Sequence, residues 1–188
     1  MLTSLIIILI ISAVVICLIG IYNSLIRKKN AANTAESSID VMLKKRFDLI
    51  PNLVSSVKTY MDHESKTLVR ITELRAQGTS SDLSQSEKVS IDKQLSQEMT
   101  SLRLSFENYP DLKASENFAM LQRSLNEVEE QISASRRTFN ATINDLNNAV
   151  EMFPTNLFAK RMGLKTRELF EIPEVEKITP NVSSLFNS

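Results

Sequence analysis

An all-α fold, with one N-terminal transmembrane helix followed by an antiparallel bundle of long helices, is what the sequence predicts. Three observations predict it. No charged residue occurs between Leu2 and Ile26. Beyond that run, apolar residues recur every three or four positions, the period of a helix with one greasy face. The 188 residues include three glycines and five prolines, so few turns break up the elements, and long elements in a chain of this size are helices.

The stretch from Leu5 to Ile21 is apolar apart from Ser12, whose hydroxyl can bond back to a helix carbonyl. At about 1.5 Å rise per residue, roughly 20 such residues cross a hydrocarbon core of about 30 Å. Leu5, Ile8, Ile11, Val15 and Leu18 are the lipid-facing anchor positions, and Tyr22 stands at the depth of an interfacial aromatic. A cleaved signal peptide needs basic residues ahead of its apolar run and small residues behind it, and neither is present. A lipoprotein signal needs a small residue before its cysteine, where Ile16 precedes Cys17. Arg27, Lys28 and Lys29 follow the span, reinforced by Lys44, Lys45 and Arg46, with no Lys or Arg before it. The positive-inside rule then puts the N-terminus outside and the domain in the cytoplasm.

Residues 1–30 therefore read as anchor and basic flank, 31–163 as the bundle and 164–188 as a C-terminal tail that docks or frays. The first bundle helix is expected over about 31–77, on a stripe from Ile39, Leu43, Phe47 and Ile50 to Leu68, Ile71 and Leu74. Pro51 lies inside it. A mid-helix proline removes one donor and frees the carbonyl near Phe47, which Asn52 or another helix must satisfy, so a kink is expected there. Gly78 followed by Thr79, Ser80, Ser81 and Asp82 reads as a helix end and a new start. The second helix, about 82–108, carries Ser84 and Glu87 at capping-box spacing and ends at Tyr109-Pro110. The third, about 115–153, runs from Phe118 to Phe153 and is closed by Pro154. A short helix over about 156–162 is stopped by Gly163.

Twenty-two basic residues balance 22 acidic ones, so no basic field suits nucleic acid. Cys17 is the single cysteine, which excludes an intrachain disulfide and a cysteine-based zinc site. His63-Glu64 begins like a zinc-protease motif, but Thr67 stands where the second histidine belongs and the chain has no other. No phosphate loop, serine elbow or cofactor motif appears, so no enzyme chemistry, metal or cofactor is expected. In the densest block, Asp40, Lys44 and Asp48 are spaced as i,i+4 ion pairs on a solvated face.

Two blocks carry a resemblance. The first holds Tyr22-Asn23, Ile39-Asp40-Val41, Leu43-Lys44, Arg46, Asp48-Leu49-Ile50-Pro51-Asn52-Leu53-Val54, Tyr60 and His63-Glu64. The second holds Tyr109-Pro110-Asp111-Leu112-Lys113-Ala114, Asn117-Phe118, Arg136-Arg137, Phe139-Asn140 and Phe153-Pro154. In this order and over nearly the whole chain, the sequence resembles the LemA family. Phe139 and Leu146 stand where that family usually has Tyr, and the tail after Phe170 diverges. The resemblance implies a bacterial, single-span protein of the inner membrane with a bundle of long helices and no established enzymatic activity. Members include a magnetosome membrane protein, and the family has been linked with membrane organisation and with membrane protease neighbours.

The expectation is a scaffold that acts by self-assembly and protein interaction, with an adaptor or sensor regulating a membrane protease as the alternative. Expected partners are the lipid bilayer, further copies of the chain and other membrane proteins. A first helix of roughly 70 Å beside a second of under about 40 Å would leave apolar surface for a homo-oligomer to cover.

Overall fold

The computed structural model describes residues 2–61, 64–80 and 82–170. All regular structure among them is helical: α1 Leu2–Lys58, α2 Ser65–Gly78, α3 Gln85–Ser105, α4 Pro110–Ala114, α5 Glu116–Glu151 and α6 Thr155–Arg161, with a 3₁₀ turn at Phe106–Asn108. α1 is one unbroken helix of 57 residues, about 85 Å at helical rise, that joins the apolar run to the bundle. Residues 2–20 are exposed along its whole circumference, and this part of α1 is long and apolar enough to cross a membrane.

The expected first bundle helix does not reach Gln77. It ends at Lys58, the amides of Tyr60 and Met61 both turn back onto the Val57 carbonyl, and α2 starts at Ser65. The reason lies in the stripe. After Met61, buried to 1 % exposure, the next buried apolar side chain is Leu68, and the six residues between are polar. A helix continued through them would bury nothing.

Two compact units divide the described residues, 36–135 forming one, and those up to Ala35 together with Arg136 to Phe170 forming the other. In the 36–135 unit, Ile39, Leu43, Phe47, Ile50, Leu53 and Val57 line the buried face of α1. Leu68, Ile71 and Leu74 of α2, Leu95 and Leu102 of α3, and Phe118, Leu125, Val128 and Ile132 of α5 complete its core. Each such side chain contributes about 1.5–3 kcal/mol relative to exposure. α2 and α3 form a helical hairpin. The start of α3 is a full capping box: the Ser84 hydroxyl accepts from the Glu87 amide, and the Glu87 carboxylate accepts from the Ser84 amide at 2.8 Å. Donation from the Ser84 hydroxyl and amide holds the Glu87 carboxyl below the ordinary glutamate range. Pro110 occupies the first turn of α4, where its missing donor is harmless.

In the other unit, Leu25 of α1, Ala149 of α5 and Ala159 of α6 make a small core, with Ile21, Val150, Phe158, Met162 and Leu164 packed on it. Gly163, at φ +67°, ends α6 in the left-handed region that suits glycine.

Gly78 stands at the helix end, as expected, but as the last residue of α2 and without positive φ, and a Cβ there would overlap the Phe47 ring. Phe47 also carries the carbonyl that Pro51 leaves without its helical donor. α1 runs on through Pro51, and Arg75 of α2 supplies the missing bond, its Nε donating to the Phe47 carbonyl at 3.0 Å. Asn52, the local alternative, is exposed.

This relation is testable by a double-mutant cycle on the full-length protein in detergent. Arg75→Ala leaves that carbonyl unmatched and is expected to destabilise by about 1–3 kcal/mol in urea unfolding. In a Pro51→Ala background the restored helix amide takes over, and the same Arg75→Ala change should cost clearly less. Equal costs in both backgrounds would show that Arg75 does not serve the proline carbonyl.

Candidate functional site

The polar residues of the first sequence block are distributed in two ways. Lys44, Asp48, Pro51, Asn52 and Tyr60 are exposed. Asp40, Arg46 and Glu64 reach away from α1 and its following turn to other helices. The expected i,i+4 pairs are not formed among the described residues: Asp40 instead accepts from Lys88 of α3 at 2.9 Å, an interhelical pair that ties down the start of α3. His63 lies outside the described residues, while Glu64 accepts a hydrogen bond from the Tyr109 hydroxyl at 3.2 Å, beside Pro110.

Arg46 departs most from expectation. It reads as one of a run of surface cations, yet it is 4 % exposed. Its Nη1 donates to Asp92 Oδ1 at 2.9 Å and to Ser96 Oγ at 2.9 Å, and Glu129 Oε2 stands 3.2 Å away. Asp92 is 1 % exposed, whereas Glu129 is about half exposed and links the group to the surface. Asp92 and Ser96 lie one turn apart on α3 and Glu129 lies on α5, so one guanidinium binds α1 to two other helices. A cavity of about 140 Å³ opens beside it, lined also by Met99, Thr100, Arg103 and Leu125. Lys45, the next residue, reaches Gln131 of α5 at 3.3 Å. Asp92, Ser96 and Glu129 were not singled out in the sequence. The one available signal is that Asp92 sits between Ile91 and Leu95, on the apolar side of α3.

A second polar device lies in the unit that contains the C-terminal residues. Asn147 of α5 donates from Nδ2 to the Arg167 carbonyl and accepts from the Arg167 amide, both at 2.9 Å. Asn140 does the same with Phe170, at 3.0 and 2.8 Å. Each carboxamide thus stands in for a peptide group of a neighbouring β-strand. The spacing fits: seven residues of helix rise about 10.5 Å, and three residues of extended chain cover about 10 Å. Residues 164–170 have no regular structure of their own and run antiparallel to α5 on these two rungs. Phe170 packs edge-on to Phe139 with centroids 4.9 Å apart, and the Arg167 guanidinium donates to Asn33 of α1 at 2.9 Å. Asn140 belongs to the expected motif; Asn147 and the strap it holds do not. Pro154 is exposed, just before α6.

Anchor positions Leu5, Ile8, Ile11, Val15, Leu18 and Tyr22 are all exposed on α1. Taken together, Arg46 and Asp40 tie α1 to other helices, Glu64 meets Tyr109 across two turns, and Asn140 holds the strap on α5.

Two outcomes check this reading. Asp92→Leu alone leaves the buried guanidinium with the half-exposed Glu129 as its remaining carboxylate and is expected to cost about 2–4 kcal/mol, while Arg46→Met combined with Asp92→Leu, which removes both buried charges, should cost much less. Urea unfolding of the full-length protein measures both, and a double variant as unstable as the single one would contradict it. Asn147→Asp removes one donor and sets a carboxylate against the Arg167 carbonyl. Amide exchange at Arg167 should then accelerate by at least about tenfold, the equivalent of roughly 1.4 kcal/mol, while the capping box of α3 stays protected.

The sequence profile of the LemA family matches residues 35–183. The curated protein named Protein LemA from Metamycoplasma hominis is 28 % identical over 169 residues, covering 90 % of this chain and 77 % of that one. Its alignment reaches into both residue blocks whose polar groups clamp the helices. With the profile spanning most of its length, this all-helical chain belongs to the LemA family.

Proposed function

We propose that this protein is a single-span membrane scaffold that works by self-assembly and protein contact on the cytoplasmic face of a bacterial inner membrane. The observation that carries the reading is how the motif residues are used. Arg46, Asp40, Glu64, Tyr109 and Asn140 are engaged in holding helices and strap in place. Side chains committed in this way shape a surface; they do not gather around a substrate.

The anchor reading draws support from continuity. A cleavable signal is separable from the fold behind it, but here Ile21 and Leu25, the last turns of the uncharged run, pack into a core with α5 and α6. Arg27, Lys28 and Lys29 orient the span with the domain inside. Self-assembly is supported by a groove of about 480 Å³ at the end of α1 and on α2, lined by Val54, Met61, Leu68 and Val69, with Val69 57 % exposed. Anchoring holds every copy on one surface, which raises their effective concentration. The adaptor reading has one observation of its own, the cavity beside buried Arg46, where a small ligand could bias helix packing.

Cross-linking separates the two. In a Cys17→Ser background, Val69→Cys treated with a bifunctional thiol reagent in native membranes should give species at twice the monomer mass or more. The protein should resist alkaline carbonate extraction, and Ser80→Cys should be closed to impermeant label in intact cells. A monomer in both membranes and mild detergent would end the self-assembly reading. One different membrane protein captured reproducibly in its place would establish the adaptor.

A further inference from the structure

α5 ends at Glu151 and α6 starts at Thr155, and the apolar side chains at this corner are bare: Phe153 is 80 % exposed, Met152 and Leu157 62 % each. The opposite side of α6 is sealed. Ala159 is fully buried against Leu25 and Ala149, and Phe158 and Met162 pack on the same core beside Ile21. Seven residues thus cover α1 with one face and present large apolar groups with the other. Each of those groups would gain by leaving water, and clustered exposure of this kind marks an interaction surface.

What covers it follows from where α6 is attached. Ile21 and Leu25 belong to the last two turns of the uncharged run, which ends at Ile26 and is followed by Arg27, Lys28 and Lys29. A span of roughly 20 residues from Leu5 reaches the border of hydrocarbon and headgroups at about this point. A helix packed on Ile21 and Leu25 sits at the same depth. Its last turn carries Lys160 and Arg161, the cations that suit anionic headgroups.

We propose that the Met152–Leu157 corner is a second membrane contact, entering the headgroup–acyl boundary of the leaflet from which α1 emerges, with Lys160 and Arg161 on lipid phosphates. It rests on the anchor reading. The occupant is an anionic bilayer surface; continuity with the span and the adjacent cations favour lipid over a second copy of the chain. Two attachments, one crossing and one lying in the interface, hold this unit against rotation about the span.

The chain has no tryptophan, so an introduced one reports alone. Full-length Leu157→Trp and Phe153→Trp are reconstituted in phosphatidylcholine–phosphatidylglycerol vesicles carrying brominated acyl chains. Both positions are exposed, so neither indole disturbs packing, and two positions guard against one misfolding. Both should lose most of their emission to bromines near the acyl carbonyl and less to bromines near the chain end. Ile11→Trp in the span should show the reverse order, and Val69→Trp should not be quenched. If the indoles at 153 and 157 are unquenched while that at 11 is quenched, the second contact is refuted and the anchor stands. If none is quenched, the anchor fails and the proposal fails with it. Indoles that are shielded but unquenched, and that become exposed as protein is diluted in lipid, would assign the corner to contact between copies and overturn the lipid reading.

Discussion

A guanidinium that is 4 % exposed in an all-helical protein must be answered from several sides, and Arg46 is answered by Asp92 and Ser96 of α3 and Glu129 of α5. Removing such a charge from water costs several kcal/mol, recovered only with near-ideal geometry. The benefit is register. Apolar helix faces tolerate sliding, because one leucine fits a groove nearly as well as the next. Displacing α3 by one turn, about 5.4 Å, would carry Asp92 out of reach of Arg46 and leave two charges buried apart. The same logic recurs in weaker form at Lys88 with Asp40 and at Arg75 with the Phe47 carbonyl. These bonds fix which rows of the greasy stripes meet.

The fold class was legible because it rests on local signals. The 3.6-residue stripes, the Ser84–Glu87 box and Gly163 act within a turn or two of themselves, and each appears in the structure where its residues stand. The end of α1 was harder to read. No glycine or proline marks it, only six polar residues between Met61 and Leu68, and a gap in a stripe becomes a stop only when a partner surface is known. Gly78 ends its helix as expected, but the further demand on it, room for a ring 31 residues away, leaves no local signal.

Legibility of the site fell off faster. A proline at position 51 announces a carbonyl in need of a donor, and chemistry alone narrows the donors to a nearby side chain or another helix; only tertiary packing selects Arg75 over Asn52. Arg46 sits in a run with Lys44 and Lys45; its spacing from Leu43 and Ile50 puts it alone of the three on the buried stripe. A long cation so placed ordinarily reaches out to water, however, and the sequence does not name Asp92, Ser96 and Glu129 as its partners. The charges of the first block therefore looked like a solvated face, although two of them, on Asp40 and Arg46, are spent between helices. In this chain Asp40, Arg46, Glu64, Tyr109 and Asn140 of the two blocks join separate segments, while Lys44, Asp48, Asn52 and Tyr60 stay exposed.

The strap on α5 is recognised in an unusual currency. Asn140 and Asn147 touch the main chain at Phe170 and Arg167, not their side chains. Every residue but proline offers the same amide and carbonyl, so the rungs themselves place almost no demand on the strap's sequence. The asparagines have no such latitude: aspartate lacks the donor, and glutamine is a methylene too long for the matched repeat. What sequence demand the strap carries comes from elsewhere, from the Phe170 ring on Phe139 and the Arg167 guanidinium on Asn33, so its backbone path and its side-chain contacts are specified separately.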